Sequence, residues 1–204
     1  MKNFYNIKSG FTIIEVMISV ALFSVIIIIG VGSLLNASNL HNKSAKVRSI
    51  LDNLSFVMED MSRNLRTGSD YSCEGGFDCT DGKKLIFINH TPGQSGEKWM
   101  YVFLTRDDPS IGDLVKIVRP SGTPNTDFDA ILSAANTADL IPINPEEVQL
   151  DSSSGFNVTG ADPNDPVQPY VTIKLSGKIL YKSEEIPFKL QTSISQRLID
   201  APAN

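Results

Sequence analysis

The feature that most constrains this chain is an apolar stretch near its N-terminus, residues 11–35, in which Glu15 is the single charged residue. An α-helix rises about 1.5 Å per residue, so about 20 apolar residues cross the hydrocarbon layer of a bilayer. Val16–Leu35 alone has that length, whereas the apolar part of a cleavable secretory signal has only about 7–15 residues. We therefore predict a membrane-spanning helix over residues 11–35.

Charge is divided unevenly along the chain. Residues 1–66 hold seven Lys/Arg and four Asp/Glu, whereas residues 67–204 hold eleven and nineteen. Basic residues before the apolar stretch and an acidic region after it predict a cytoplasmic N-terminus and an extracytoplasmic C-terminal region. The acidic balance also argues against nucleic-acid binding, which needs clustered Lys and Arg.

Glu15 is the residue that a plain membrane anchor does not explain. A carboxylate near the end of a membrane helix costs about 1–3 kcal/mol, and such residues are usually paired and functional. We therefore expect Glu15 to have a cationic partner.

The residues around Glu15 form a recognisable motif, KSGFTIIE at residues 8–15. It resembles the signal of type IV prepilins and type II secretion pseudopilins, in which a basic leader ending in Gly precedes Phe-Thr-Leu, an aliphatic residue and Glu. Ile13 stands where Leu is usual. The resemblance implies a leader over residues 1–10, cleavage by a prepilin peptidase between Gly10 and Phe11, and N-methylation of Phe11.

Cleavage at this position would give Glu15 a partner. It frees an α-amino group on Phe11, and a carboxylate in a low-dielectric setting needs a cation. The amine of a neighbouring subunit can serve only when the two helices are in axial register. In this interpretation Glu15 sets the register of filament assembly and has no catalytic role.

The apolar helix contains Gly30 and Gly32, and many pilins have proline at the position of Gly32. Each glycine weakens a helix by about 1 kcal/mol relative to alanine. Helix flexibility on assembly and close packing of small residues between membrane helices are both consistent with this pair.

An amphipathic helix is predicted to continue over residues 36–66, because apolar residues recur at spacings of three, four and seven. They are Leu40, Val47, Ile50, Leu51, Leu54, Val57, Met58, Met61 and Leu65. Fewer than four heptads make a coiled coil the weaker alternative. We expect this face to cover a globular domain.

Residues 67–204 are predicted to form a β-rich head, so the fold class is α+β with a long N-terminal helix on an antiparallel sheet. The predicted strands are Lys84–Asn89, Lys98–Thr105, Leu114–Val118, Tyr170–Tyr181 and Ile186–Leu198. The last of these alternates apolar and polar residues and predicts a half-buried strand.

Residues 119–169 hold seven prolines and many Asp, Asn and Ser. They predict a long, irregular surface region, with a short helix near Phe128–Ala135.

Cys73 and Cys79 are the only two cysteines. Without partnering histidines they do not complete a four-ligand zinc site. In an exported domain a small disulfide loop is the natural interpretation, and free thiols are the alternative in a cytosolic protein.

We predict no enzyme activity and no cofactor. The chain has two histidines and none of the metalloprotease, phosphate-loop or dinucleotide motifs. Two acidic loop segments are weak calcium candidates, one with Asp127 and Asp129 and one with Asp162 and Asp165, but neither has EF-hand spacing.

The predicted function is that of a structural subunit, similar to the larger minor pilins or pseudopilins. Its expected partners are the prepilin peptidase, other pilin subunits, an inner-membrane assembly platform and, before assembly, membrane lipid. The alternatives are a membrane-tethered extracytoplasmic enzyme and an adhesin that binds through residues 119–169.

Overall fold

The computed structural model describes residues 10–90, 96–105, 112–133, 140–182 and 184–197. Its elements are α1 (Ile13–Arg66), β1 (Ser69–Cys73), β2 (Cys79–Gly82), β3 (Lys84–Asn89), β4 (Glu97–Thr105), β5 (Gly112–Arg119), α2 (Asn125–Ser133), β6 (Ile141–Pro142), β7 (Val148–Leu150), β8 (Gly155–Thr159), β9 (Tyr170–Tyr181) and β10 (Glu184–Ser195). The architecture is α+β, a long N-terminal helix packed on an antiparallel sheet, which confirms the predicted class.

The chain divides into two compact units, one up to Lys46 and one from Val47 onward. The described part of the first unit consists almost entirely of α1. The helix continues through Gly30 and Gly32, and a Cβ built at either glycine would meet nothing within 4 Å beyond the adjacent residues and the nearby backbone of the helix itself. Leu40, which the predicted apolar face included, is 68% exposed.

The second unit is built on one sheet in the order β1-β3-β4-β5-β7-β9-β8-β2, with β10 paired to β9 and β6 to β5. β9 has 12 residues, as many as β10 and more than any other described strand. It pairs along its whole length with β10, and with β8 and then β7 in succession. Every pairing is antiparallel among the residues described.

The main core lies between α1 and one face of this sheet. α1 contributes Ile50, Leu54, Met58, Met61 and Leu65, spaced by three and four as a single helix face. From β10, the apolar residues Phe188 and Ile194 are buried while the alternate positions are exposed. The predicted helix stripe is confirmed over residues 47–65 but is wrong at Leu40, which is exposed. The predicted alternation is confirmed over the described part of β10, and Leu198 lies outside the described residues.

One buried polar contact also joins α1 to the sheet. Asn64 Nδ2 donates a hydrogen bond to the Tyr101 hydroxyl at 3.4 Å. Burial raises the pKa of Tyr101 well above its usual value, so the phenol stays neutral and the contact persists across the physiological range of pH.

The other face of the sheet carries a second, smaller core under α2. It consists of Ile86, Met100, Val102, Val115, Ile117 and Phe128. Strands β3 to β5 are therefore buried on both faces, which explains why they have nearly continuous apolar runs.

The prediction for residues 119–169 is wrong in its central part. β7 and β8 lie in this region and belong to the sheet, and Val148, Leu150, Phe156 and Val158 are buried in the main core. The short helix is confirmed, but as Asn125–Ser133. β7 and β8 have three and five residues, too few to show a period in the sequence, and they become strands by pairing with β9.

Candidate assembly site

The N-terminus of α1 carries the motif residues. Gly10, Phe11 and Thr12 precede the helix, and Ile13 is its first residue. The side chains of Phe11 and Ile13 are both 82% exposed, and Glu15 is also exposed. Residues 1–9, the rest of the predicted leader, lie outside the described residues.

Thr12 caps this helix. Its Oγ1 accepts a hydrogen bond from the Glu15 backbone N–H at 3.4 Å, and its carbonyl accepts one from the Val16 N–H at 3.2 Å. With Thr12 as N-cap, Glu15 is the third helical residue, which is the spacing of a capping box. A carboxylate there also complements the positive end of the helix dipole. The Thr-x-x-Glu spacing is the sequence signal that identifies this cap.

The residues that follow form a membrane-compatible surface. α1 is the one helix in the described part of the chain that is long and apolar enough to cross a bilayer, and none of its most apolar stretch is buried. Large apolar side chains such as Ile14, Ile28 and Leu34 are 67–72% exposed. Such a surface is costly in water and suits lipid or neighbouring helices.

A family model describing the prokaryotic N-terminal methylation motif matches residues 5–31. The chain therefore carries this motif, and the motif together with the long apolar helix fits a type IV pilin or pseudopilin. The same two features support a membrane-anchored, single-pass protein. No curated protein and no solved structure matches the chain significantly.

The predicted disulfide is present in the head. Cys73 and Cys79 are bonded, and Cys73 is 1% exposed. The loop between them is attached at two further points. Glu74 Oε1 accepts a hydrogen bond from the Lys84 N–H at 3.1 Å, and the Asp78 carboxylate accepts bonds from the Gly160 and Ala161 N–H groups at 3.2 and 2.9 Å.

Removing the disulfide should weaken the head measurably. Closing a loop this short stabilises a protein by roughly 2 kcal/mol through the entropy of the unfolded chain. We expect the Cys73→Ser, Cys79→Ser double variant of the full chain to unfold in detergent at a temperature lower by about 5 °C. Phe77→Ser, at an exposed position in the same loop, is the control and should unfold like wild type. An unchanged midpoint in the double variant would show that Asp78 and Glu74 hold the loop without the bond.

Three of the four calcium candidates accept hydrogen bonds from other groups of the protein. Asp129 Oδ1 accepts a hydrogen bond from Lys84 Nζ at 2.5 Å. Asp162 Oδ1 accepts one from the Asn164 N–H and Asp165 Oδ1 one from the Val167 N–H, each at 2.9 Å. Asp127 lies in the first turn of α2. Among the described residues no group of three or more His, Cys, Asp or Glu is placed to hold a metal ion.

The head carries a polar groove whose side chains include groups of the kind used in catalysis. It has a volume of about 420 Å³ and includes Asp81, Ser153 and Lys174. Lys174 Nζ donates to Asp81 Oδ1 at 2.9 Å, and this bond lowers the pKa of the Asp81 carboxyl. Ser153 Oγ bonds to Asp151 Oδ1, and the groove's lining contains no histidine. These groups form a surface ion pair and a turn, without a nucleophile and base in contact.

Proposed function

We propose that this protein is a filament subunit of the type IV pilus or type II secretion pseudopilus class. A prepilin peptidase cleaves it between Gly10 and Phe11, Phe11 is N-methylated, and α1 joins the filament. The observation that carries the proposal is the methylation motif at residues 5–31 leading directly into an exposed, uninterrupted apolar helix.

Before assembly the subunit is a single-pass protein of the inner membrane, with its N-terminus in the cytoplasm and its head outside. The charge distribution supports this orientation, since Lys2 and Lys8 precede the span and the region after residue 66 is acidic. The disulfide supports an oxidising compartment for the head. An inner-membrane assembly platform would then move the subunit from lipid into the filament.

During assembly Glu15 pairs with the freed amine of Phe11 on the neighbouring subunit. Thr12 caps the backbone of the first helical turn, so the backbone of Glu15 starts from a helical position. Glu15 leaves lipid for a site where its charge is balanced. Gly30 and Gly32 supply local freedom to the helix as it repacks.

We further propose that the subunit is a minor or tip component. The support is the size of the head, since a sheet of ten strands is large for a unit repeated along a shaft. The abundance of this chain relative to other pilins in purified filaments tests this placement. One copy for many of another pilin supports it, and predominance of this chain contradicts it.

The decisive test of the class is mass spectrometry of the intact protein from its native host, with and without the prepilin peptidase. We expect a mature chain that begins at N-methylated Phe11 and is present in sheared filaments. Without the peptidase the protein should keep residues 1–10 and stay in the membrane.

Two variants sharpen this test. Gly10→Val should block cleavage in cells that contain the peptidase, because the residue before the scissile bond is changed, while Ser9→Ala should be processed normally. A protein that keeps its first ten residues in wild-type cells and is never found in filaments would be a tethered enzyme or adhesin instead.

A further inference from the structure

Four strands of the head pair on one side only among the described residues, namely β1, β2, β6 and β10. Three of them are short, with five, four and two residues, and the disulfide between Cys73 and Cys79 joins the ends of β1 and β2. In contrast, β10 has 12 residues and pairs only with β9. The described part of the head therefore has one long edge strand.

Alternate residues of β10 direct their backbone groups away from β9. Just after the strand, the Gln196 N–H donates to the Pro169 carbonyl at 3.0 Å and continues the register of the β10–β9 ladder. Even-numbered residues are therefore bonded to β9, and odd-numbered residues point their N–H and C=O groups outward. Pro187, which has no N–H to donate, is odd-numbered, as this assignment requires.

The outward backbone groups near the end of β10 have no partner among the described residues. Arg197 is later in the same odd-numbered series, and its N–H donates to the Arg66 carbonyl at the end of α1 at 2.8 Å. The three residues that precede it in the series, Gln191, Ser193 and Ser195, make no such bond within the described chain. All three are exposed, so their backbone groups are available to an incoming strand.

The second half of β10 also lacks the features that ordinarily protect an edge strand. Such strands avoid pairing with other chains by means of charged side chains or proline. In β10 these residues are confined to its start: Glu184, Glu185, Pro187 and Lys189. Residues 190–195, which we call the open edge, contain neither a charged residue nor proline.

The side chains of β10 indicate what an incoming strand must carry. On the face toward α1, Ile186 and Leu190 are only partly buried, whereas their partners in β9, Ile179 and Leu175, are at most 1% exposed. The side of β10 away from β9 is therefore incompletely covered. Apolar residues of an added strand would cover it on the face toward α1, and polar residues would lie on the other, exposed face.

We propose that the open edge binds an extended segment of a different filament subunit, which adds to the sheet as a strand beside β10. The segment alternates apolar and polar residues, with its apolar side chains on the face of Leu190. An acidic residue beside Lys189 would complement the charge of that lysine. The inference rests on the proposed filament function and deepens it, because it names the head surface through which a minor or tip subunit contacts its neighbour.

Two other occupants fit the open edge less well. Residues 198–204 of the same chain follow it directly, but Arg197 is bonded to the end of α1. A return along β10 would need a turn of at least two residues, which leaves about five residues for pairing, Pro202 among them. A second copy of the chain would offer the same edge, but a minor or tip subunit is surrounded by subunits of other kinds.

A proline substitution in the full chain tests the hydrogen bonds of the open edge. Ser193→Pro removes an outward N–H and no bond to β9, a change that β10 already accommodates at Pro187. In the native host we expect about tenfold less of the chain in sheared filaments, because a carbonyl of the added strand loses its donor. The amount in the membrane and the unfolding temperature in detergent should stay near those of wild type.

The control is Glu185→Pro, which removes an outward N–H in the protected half of β10 and should incorporate like wild type. Normal incorporation of Ser193→Pro would overturn the proposal. An equal defect in Glu185→Pro would also overturn it, because the effect would then belong to proline itself.

A second measurement does not depend on how a proline variant folds. A photocrosslinking residue, p-benzoylphenylalanine, is placed at Gln191 of the full chain, and the native host is irradiated. Asp127 on α2, which lies over β3 to β5, is the control position. We expect Gln191 alone to give an adduct with an alternating apolar and polar segment of a different filament subunit, identified by mass spectrometry.

Four results of the crosslinking would each overturn the proposal. They are no adduct from Gln191, the same adduct from Asp127, an adduct with a protein absent from filaments, and an adduct with a second copy or with residues 198–204.

Failure of this proposal is distinguishable from failure of the proposed function. If the wild-type chain is cleaved at Phe11 and found in filaments while Ser193→Pro incorporates normally, only the open-edge contact is wrong. If the wild-type chain keeps residues 1–10 and is absent from filaments, the filament function itself is wrong.

Discussion

Replacing Glu15 with valine is expected to leave the protein in the membrane and remove it from filaments. The change eliminates the one charge in the apolar stretch, so membrane insertion becomes easier by about 1–3 kcal/mol. Assembly, in contrast, would bury the amine of Phe11 without a carboxylate partner. Breaking a buried ion pair on one side costs about 3–5 kcal/mol, so the filament-bound fraction should fall by a factor on the order of 100 or more.

The measurement is the amount of full-length protein in the membrane and in sheared filaments, with mass spectrometry of the N-terminus. Glu15→Asp keeps the charge on a shorter side chain and should be partly incorporated. Ile14→Val is the matched apolar control and should assemble normally. Loss of Glu15→Val from the membrane would assign the residue to insertion, and normal incorporation would rule out a role in register.

The second large effect is expected from Gly177→Ala in β9. A Cβ built at Gly177 lies 2.1 Å from the carbonyl oxygen of Gln149 and 2.9 Å from Leu150 Cα, both in β7. These are backbone atoms of a paired strand, which cannot move aside as a side chain can. The substitution should push β7 away from β9 and expose Val148 and Leu150, with a loss of roughly 3 kcal/mol or more.

Thermal unfolding of the full chain in detergent tests this prediction, and a decrease of about 10 °C in the midpoint is expected. Gly76→Ala is the control, because its nearest neighbours to a built Cβ lie 3.8 Å away, an ordinary contact distance. A Gly177→Ala variant that unfolds at the wild-type temperature would show that β7 does not hold its position in the sheet.

Next to Gly177, a side chain takes the place of a neighbouring strand: Ser154 forms hydrogen bonds with the backbone of β9 between the segment paired with β8 and the segment paired with β7. Ser154 lies just before β8 and is 1% exposed. Its Oγ donates to the Ser176 carbonyl at 2.8 Å and accepts from the Ser176 N–H at 2.9 Å. The Ser154 hydroxyl thus provides hydrogen-bond partners for both backbone groups of Ser176, which neither β7 nor β8 reaches.

The elements that were predicted well are those whose signal is local. α1 has an unbroken apolar stretch followed by a helix-period face, and no proline precedes residue 92. β3 and β9 were predicted with the observed bounds, Lys84–Asn89 and Tyr170–Tyr181. Each has enough consecutive β-branched and aromatic residues for the pattern to be visible without a partner strand.

The candidate site was predicted in part for the same reason. Gly10, Phe11 and Glu15 form a motif of adjacent residues, and the family match covers them, while their roles remain predictions. Thr12 was missed as the helix cap, although its spacing to Glu15 was visible. The exposure of Phe56 could not be predicted from the sequence, because the face of α1 that it occupies is known to be exposed only once the core is known to lie on the opposite face.

By itself the sequence determined the apolar helix, its single acid, the methylation motif and the longer strands, because these depend on the order of neighbouring residues. Only the tertiary structure decided that β7 and β8 join the sheet, that Gly177 must lack a side chain, and which face of α1 remains open. Those features arise from residues far apart in the chain. Such contacts form only when the backbone brings the residues together, so no local pattern encodes them.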